Sequence, residues 1–226
     1  MIRTTLHAPI SCILFDFDGV LADTESGRYE TYREILEEYG IDMASRVRLE
    51  DLVGLTGDGF IMKFFPEIPL PDVHEIVRRR QELYMSNLGR FVLPYPGAQA
   101  TVKELKERGF ALALTTANST ESAKVLLDVL GIRDCFDAVL GREVCEDPVL
   151  KRKEYGLVAT HLGVDRSECV VIEDSPVGVA GARRAGYFTI AFERFEHPDI
   201  KANADIIIHD YNQLRQLFCL EPVLLT

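Results

Sequence analysis

The chain has 226 residues, of which 47% are hydrophobic and 27% charged, and its formal net charge is -11. This length suits one large domain, or a core domain with a modest insertion, in an ordinary soluble globular protein. An acidic chain repels nucleic-acid backbones and anionic lipids. No apolar stretch approaches the roughly 18–20 residues that span a bilayer. Met1–Ser11 also lacks the apolar region of a secretory signal. We therefore expect no nucleic-acid partner and no membrane partner.

The cysteines indicate a reducing compartment. Their number is odd and no two have CxxC spacing, which argues against a disulfide framework and against a zinc site. The sequence therefore predicts a cytoplasmic protein with five thiols. These are Cys12, Cys135, Cys145, Cys169 and Cys219.

The first ninety residues contain one strand pattern followed by helix patterns. The apolar run Cys12–Phe17 predicts a buried strand that ends in a loop. Apolar residues at helical spacing predict one helix over Thr24–Gly40 and another over Asp72–Gly89, with Asp at its start and Gly at its end. No strand signal occurs between about residues 24 and 93, so this region is predicted to be a helical insertion.

Strands and helices alternate from Tyr95 onwards. Pro96 is expected in the first turn of a helix, and Ser119 or Thr120 and then Ser175 are expected to cap later helices. Alternating strands and helices predict a parallel sheet that is covered on both faces. The fold class is therefore α/β, with a Rossmann-like parallel core formed by residues 1–23 and 94–226 and a helical insertion of residues 24–93. The later strands are predicted in FALALTT, FDAVLG, CVVIED, FTIAF and ADIIIH.

Three of the predicted strands end in polar, reactive residues. The carboxyl ends of parallel strands meet at one edge of the sheet, where such folds bind ligands. Carboxylates that gather there need a shared proton or a divalent cation, and an all-oxygen donor set suits Mg²⁺. The residues are Asp16 and Asp18 after the first strand, Thr115 and Thr116 after FALALTT, and Glu173 and Asp174 after CVVIED.

These motifs resemble those of the haloacid dehalogenase-like phosphatase superfamily. DFDGVLADTE (Asp16–Glu25) is similar to its first motif, and LTTANS (Leu114–Ser119) to its second. VVIEDSPVGVAGARRAG (Val170–Gly186) is similar to its fourth motif. The resemblance covers nearly the whole chain in the right order and implies an enzyme that hydrolyses phosphate monoesters with Mg²⁺.

The resemblance implies a role for each carboxylate. Asp16 is expected to be the nucleophile that forms an aspartyl-phosphate, and Asp18 the general acid and base. Asp16, the backbone carbonyl of Asp18 and Asp174 are expected to hold Mg²⁺. Glu173 is expected to act with them, either as a direct ligand or as a residue that supports the ligands. The alternative is that Asp16 and Asp18 are ordinary turn residues next to Gly19.

The second and third motifs are expected to bind the phosphoryl group. Thr116, the backbone N–H of Ala117 and the neighbouring Asn118 are the residues expected from the second motif. The third motif is irregular, because DPVLKRKEYGLVATHLGV lacks the proline that usually follows its lysine. Lys151 is preferred as the catalytic lysine and Lys153 is a second candidate for binding the phosphate. Arg152 lies between them, although a planar guanidinium does not replace an ammonium directly.

The helical insertion resembles the cap of the sugar-phosphate branch of this superfamily, which implies a small phosphorylated metabolite as substrate. Arg28 and the segment Leu52–Gly59 are candidate residues for reading the leaving group. A β-phosphoglucomutase-like mutase is the nearest alternative, but that pattern has a His near the position of Arg28 and an Arg near the position of Gly57. A non-catalytic binding protein of the same fold is a second alternative. A dehalogenase is disfavoured because it needs no metal, and the sequence leaves the oligomeric state open.

Overall fold

The computed structural model describes residues 10–52, 55–144, 152–194 and 196–223. Within these ranges nothing is described of the side chains of residues 144 and 152–154. Contacts divide the chain into two compact units, one formed by Met1–Ala22 with Pro94–Thr226 and the other by Asp23–Leu93. These bounds differ by one residue from those expected for the core and the insertion.

The larger unit alternates strands and helices in the predicted way. Its strands are β1 (Cys12–Phe15), β4 (Ala111–Thr115), β5 (Ala138–Leu140), β6 (Cys169–Glu173), β7 (Phe188–Phe192) and β8 (Ile206–Ile208). Its helices are α5 (Ala98–Glu107), α6 (Thr120–Val129), α7 (Arg152–Leu162), α8 (Pro176–Arg184), α9 (Pro198–Asn203) and α10 (Tyr211–Leu217). Two short strands, β2 (Ala22–Asp23) and β3 (Leu93–Pro94), lie where the chain passes between the units.

The strands of the larger unit form one parallel sheet. Their order is β5-β4-β1-β6-β7-β8, so β1 lies between β4 and β6. All four residues of β1 are buried because helices cover both faces of a parallel sheet, which explains the uninterrupted apolar run. Since the three strands that end in polar residues are neighbours, this order brings their carboxyl ends together. The predicted α/β fold with a parallel core is confirmed.

The smaller unit is helical. It contains α1 (Glu25–Glu38), α2 (Gly57–Phe64), α3 (Leu70–Ser86) and α4 (Leu88–Phe91). Its core is aromatic and aliphatic, with the rings of Tyr32 and Phe60 4.7 Å apart. Among the residues that the structure describes, no helix combines the length and the hydropathy that a membrane span needs.

Three helix details differ from the sequence predictions. Helix α3 begins at Leu70, two residues before Asp72, because Pro71 is tolerated in a first helical turn. Its regular geometry ends before Asn87, so the predicted C-terminal Gly89 lies inside α4 instead. Pro96 lies outside α5, because Gly97 has a left-handed φ of 87° and the helix begins only at Ala98.

Candidate active site

The loop after β1 carries the first pair of acidic residues. The N–H of Asp16 donates to Ile172 O at 3.0 Å, which continues the pairing of β1 with β6 by one residue. Asp16 is 5% exposed. The chain then turns sharply at Gly19, where the φ of 77° is one that glycine adopts without strain. The end of β1 therefore fixes Asp16 beside the end of β6, and the turn follows immediately.

Glu173 is the last residue of β6 and is fully buried. Its Oε1 accepts a hydrogen bond from the Tyr155 hydroxyl at 3.1 Å. Its Oε2 accepts from the N–H of Ser175 at 3.3 Å and from the Ser175 hydroxyl at 3.0 Å. The same hydroxyl accepts the N–H of Gly178 at 3.0 Å, so Ser175 is the predicted cap of α8. Donors from α7 and α8 thus hold this carboxylate in one orientation.

Three carboxylates meet at this edge of the sheet. One oxygen each of Asp16, Glu173 and Asp174 lies within 4.8 Å of the others, and Asp16 and Glu173 are buried. Negative charges this close in a poorly solvated place repel one another strongly unless a cation or protons compensate them. The donor set consists of carboxylate oxygens alone, which fits Mg²⁺ better than a soft transition metal.

Two glycines provide the space in which these carboxylates lie. A Cβ at Gly19 would lie 1.8 Å from Oδ2 of Asp174. A Cβ at Gly178 would lie 2.2 Å from Oε1 and Cδ of Glu173. Both distances are far below van der Waals contact, so any larger residue would displace a carboxylate. The backbone is therefore built closely around the acidic cluster, which supports the fit of a small cation at this place.

The end of β4 supplies the groups expected to bind phosphate. Thr116 is buried, and its Oγ1 accepts hydrogen bonds from the backbone N–H and from Nδ2 of Asn118, both at 3.2 Å. Nδ2 of Asn118 also donates to Oδ2 of Asp18 at 2.7 Å. The backbone N–H of Ala117 has no partner within the described ranges of the chain. The second motif is thus linked directly to the loop after β1.

Several predicted site residues are not tested by this geometry. Lys151 lies outside the described residues, and the side chains of Arg152 and Lys153 are likewise not described. Arg28 belongs to the helical unit, where its guanidinium donates to Leu52 O and Leu55 O and lies 3.5 Å from Glu25. Within that unit it therefore ties α1 to the segment that precedes α2.

The role of Tyr155 was not predicted from the sequence. It is fully buried on α7, and its hydroxyl donates to Glu173. The hydroxyl of Tyr187 donates in turn to the backbone carbonyl of Tyr155 at 2.8 Å, and burial raises the pKa of Tyr187 to about 12. The sequence signal for Tyr155 was a tyrosine that closely follows a lysine-rich stretch. Its hydrogen-bond partner could not be predicted, because it depends on how α7 packs on the sheet.

The match to known proteins agrees with this fold and with these motifs. Residues 13–192 match the haloacid dehalogenase-like hydrolase family, which is well over half of the chain. The chain therefore belongs to the haloacid dehalogenase-like hydrolase family and is an enzyme of that family.

Two curated relatives and one solved structure show which proteins this chain resembles. The fructose-1-phosphate phosphatase YqaB of Escherichia coli (strain K12) is 30% identical over 178 residues, which cover 77% of this chain and 92% of that protein. A phosphoglycolate phosphatase of Caulobacter vibrioides is 26% identical over 205 residues, which cover 88% of this chain and 86% of that protein. A subfamily IA hydrolase structure from Geobacter sulfurreducens PCA shares the fold with a TM-score of 0.77, at 20% identity, over 96% of this chain and all of that one.

Proposed function

We propose that this protein is a Mg²⁺-dependent phosphatase that hydrolyses a small phosphate monoester through an aspartyl-phosphate on Asp16. The observation that carries the proposal is the meeting of Asp16 with Glu173 and Asp174 at the carboxyl edge of the sheet, with oxygens within 4.8 Å. The phosphatases among its relatives support the same class of reaction. We propose a sugar phosphate or a similar phosphorylated metabolite as the substrate.

Asp16 and Asp18 divide the covalent chemistry between them. A carboxylate oxygen of Asp16 attacks phosphorus in line with the leaving oxygen, so that the new P–O bond forms as the ester P–O bond breaks. Asp18 gives its proton to the leaving oxygen, which departs as an alcohol. Asp18 then takes a proton from a water molecule whose oxygen attacks phosphorus, and the bond to Asp16 breaks to release phosphate.

The remaining groups bind and compensate charge. Asp16, Asp174 and the carbonyl of Asp18 would hold Mg²⁺, with Glu173 beside them. When bound, Mg²⁺ neutralises the acidic cluster and attracts the anionic phosphoryl group, which the chain's net charge of -11 would otherwise repel.

The donors for the phosphoryl group come from two motifs. We propose that the hydroxyl of Thr116 and the N–H of Ala117 donate to its oxygens. Lys151, or else Lys153, supplies a positive charge to the same oxygens. The helical unit is proposed to act as the cap, whose residues select the leaving group.

A cytoplasmic location is part of the proposal. Among the described residues, Cys12, Cys135, Cys169 and Cys219 are free thiols, which suits a reducing compartment. The expected partners are small phosphorylated metabolites, which diffuse freely in that compartment.

The test is release of phosphate from p-nitrophenyl phosphate, fructose 1-phosphate and phosphoglycolate, with Mg²⁺ and with EDTA. We expect turnover that requires Mg²⁺ and that falls at least about 10⁴-fold in Asp16→Asn, because no other group replaces the nucleophile. Asp165→Asn is the matched control. Asp165 precedes β6 at the opposite edge of the sheet, and asparagine caps a turn as well as aspartate does.

Other outcomes would contradict parts of the proposal. Turnover that persists in Asp16→Asn would exclude the aspartyl-phosphate, and interconversion of hexose phosphates faster than phosphate release would indicate a mutase. Lys151→Ala and Lys153→Ala are measured separately. Near-native rates in both variants would show that neither lysine serves the phosphoryl group.

A further inference from the structure

The side-chain amide of Asn118 lies between two groups of the proposed machinery. Its Nδ2 is 2.7 Å from Oδ2 of Asp18 and 3.2 Å from Oγ1 of Thr116. Asp18 and Asn118 are 100 residues apart in sequence, so the contact exists only because β1 and β4 are neighbours in the sheet. One amide thus contacts both the proposed acid and a proposed phosphate-binding hydroxyl.

The chemistry of the amide determines which oxygen of Asp18 carries the proton. An amide nitrogen has two N–H donors and no acceptor, so Oδ2 of Asp18 must accept. The carbonyl oxygen of a carboxylic acid accepts hydrogen bonds better than its hydroxyl oxygen does, so this bond favours Oδ2 as the carbonyl oxygen and Oδ1 as the oxygen that carries the proton in the acid form. The reversed amide would place its carbonyl oxygen against the carboxylate, which is repulsive when Asp18 is ionised.

The same amide fixes the direction of the Thr116 hydroxyl. A hydroxyl has one donor and two acceptor lone pairs. Oγ1 of Thr116 already accepts from the backbone N–H and from Nδ2 of Asn118. With both acceptor positions filled, the O–H is left to donate, and a phosphoryl oxygen is the acceptor that the proposed reaction brings. Asn118 therefore prepares the hydroxyl as a donor before substrate arrives.

The backbone around Asn118 is held in place by the end of β5. Its carbonyl oxygen accepts the N–H of Arg142 at 2.9 Å. A Cβ at Gly141 would lie 2.6 Å from that same oxygen, so the two segments pack without spare room. Ser119 follows at once and caps α6 through the N–H of Ser122. Because the main chain is fixed on both sides, the amide can serve as a rigid support for Asp18.

We propose that Asn118 is the positioning residue of the proton-transfer step, which orients Asp18 so that Oδ1 delivers the proton to the leaving oxygen. The inference rests on the proposed phosphatase reaction and adds a residue whose effect depends on the leaving group. An alkyl alkoxide leaves slowly without a proton, whereas p-nitrophenolate leaves readily without one. The loss of Asn118 must therefore harm alkyl phosphates far more than p-nitrophenyl phosphate.

The test compares kcat/KM for fructose 1-phosphate and for p-nitrophenyl phosphate in Asn118→Ala and Asn118→Asp. A misplaced proton donor costs about 10²-fold, so we expect a fall of about 30–100-fold with the alkyl ester. With the aryl ester we expect a fall of less than about 5-fold, because that step hardly uses the acid and because Thr116 keeps its hydrogen bond from the backbone N–H of residue 118 in both variants. Asn118→Asp keeps the shape of the side chain but removes the donor, so it should show at least the same selectivity. Ser122→Ala, which alters a contact of the same loop without contacting Asp18, should match the wild type on both esters.

Equal losses on the two esters would mean that Asn118 only keeps the loop in shape, and that result would overturn the inference. Unchanged kcat/KM in Asn118→Ala would overturn it as well. Thermal unfolding of each variant checks that it is folded, which is expected because the Asn118 side chain is partly exposed. Asp16→Asn is assayed beside them, since turnover that survives in that variant would overturn the proposed function itself, and this inference with it.

Discussion

Replacing Gly178 with alanine tests how closely α8 is built against the acidic cluster. The added Cβ would lie 2.2 Å from Cδ and Oε1 of Glu173 and 2.3 Å from its Oε2. Ordinary contacts begin near 3.4 Å, so either the carboxylate or the helix must move by about 1 Å. Glu173 is fully buried between α7 and α8 and has little room to retreat.

The expected loss of stability follows from three contributions. Alanine in place of glycine inside a helix normally stabilises it by about 0.5–1 kcal/mol. Overpacking a dense site costs about 1–3 kcal/mol, and each displaced hydrogen bond to a charged group costs about 1.5–3 kcal/mol. We therefore expect Gly178→Ala to lower the free energy of unfolding by about 2–4 kcal/mol.

Gly156→Ala is the matched control for this substitution. Gly156 lies inside α7 and is exposed, and among the residues that the structure describes nothing outside the helix backbone lies within 4 Å of a Cβ built there. The same chemical change should therefore show the normal helix effect, an increase of about 0.5–1 kcal/mol in the free energy of unfolding. The two variants are predicted to change stability in opposite directions.

Urea denaturation followed by circular dichroism measures both variants, first without metal and then with Mg²⁺. We expect Gly178→Ala also to lose most of the stabilisation that Mg²⁺ gives the wild type, because Glu173 no longer lies in its place. If Gly178→Ala were as stable as Gly156→Ala, the close packing of α8 on Glu173 would be wrong.

Two further predictions concern Tyr155, which contacts Glu173, and Tyr187, which contacts Tyr155. Tyr155→Phe removes the hydroxyl that orients the Glu173 carboxylate. We therefore expect about 10–100-fold more Mg²⁺ to be needed for half-maximal turnover. An unchanged Mg²⁺ titration would contradict the role of Tyr155 in orienting Glu173. Burial raises the pKa of Tyr187 from an ordinary 10.0 to about 12 in the folded protein. Between these two pH values the unfolded chain binds fewer protons than the folded protein does. The free energy of unfolding therefore falls as pH rises. Tyr187→Phe should make that fall less steep in urea denaturation from pH 9 to 12, and an identical slope would show that Tyr187 does not titrate as described.

The strands at the site were predictable because parallel sheets leave a simple pattern. Buried strands such as Cys12–Phe15 and Ala111–Thr115 are short, mostly apolar runs, since both faces are covered. The polar residues after these runs then mark the carboxyl edge without any knowledge of strand order. Asp16, Glu173 and Asp174 were for this reason expected at one edge of the sheet, and in the structure one oxygen of each lies within 4.8 Å of the others.

Other contacts were not predictable, because they depend on how helices pack and on the order of the strands in the sheet. The bond from Tyr155 to Glu173 requires α7 to lie against β6, and nothing in the local sequence fixes that orientation. The bond from Asn118 to Asp18 likewise requires β1 and β4 to be neighbours. The predicted helix ends were also imprecise next to glycine and proline, as at Gly97, whose left-handed conformation delays the start of α5 to Ala98.

Glu173→Gln distinguishes a metal ligand from a residue that supports the ligands. Donors from Tyr155 and Ser175 already occupy both oxygens of this buried carboxylate, whereas Asp174 lies nearer the surface. We therefore expect Glu173 to act mainly as a support. In calorimetric titration with Mg²⁺ alone, Glu173→Gln should weaken binding about 10–100-fold, as the loss of a supporting residue does, and Asp174→Asn should weaken it more. The glutamine carbonyl oxygen can accept the N–H of Ser175, which leaves its NH2 group facing the Tyr155 hydroxyl, so Tyr155→Phe is measured in the same background to separate that changed contact from the lost charge. Equal abolition of binding in Glu173→Gln and Asp174→Asn would instead make Glu173 a direct ligand, with its protein donors fixing the geometry in which it binds.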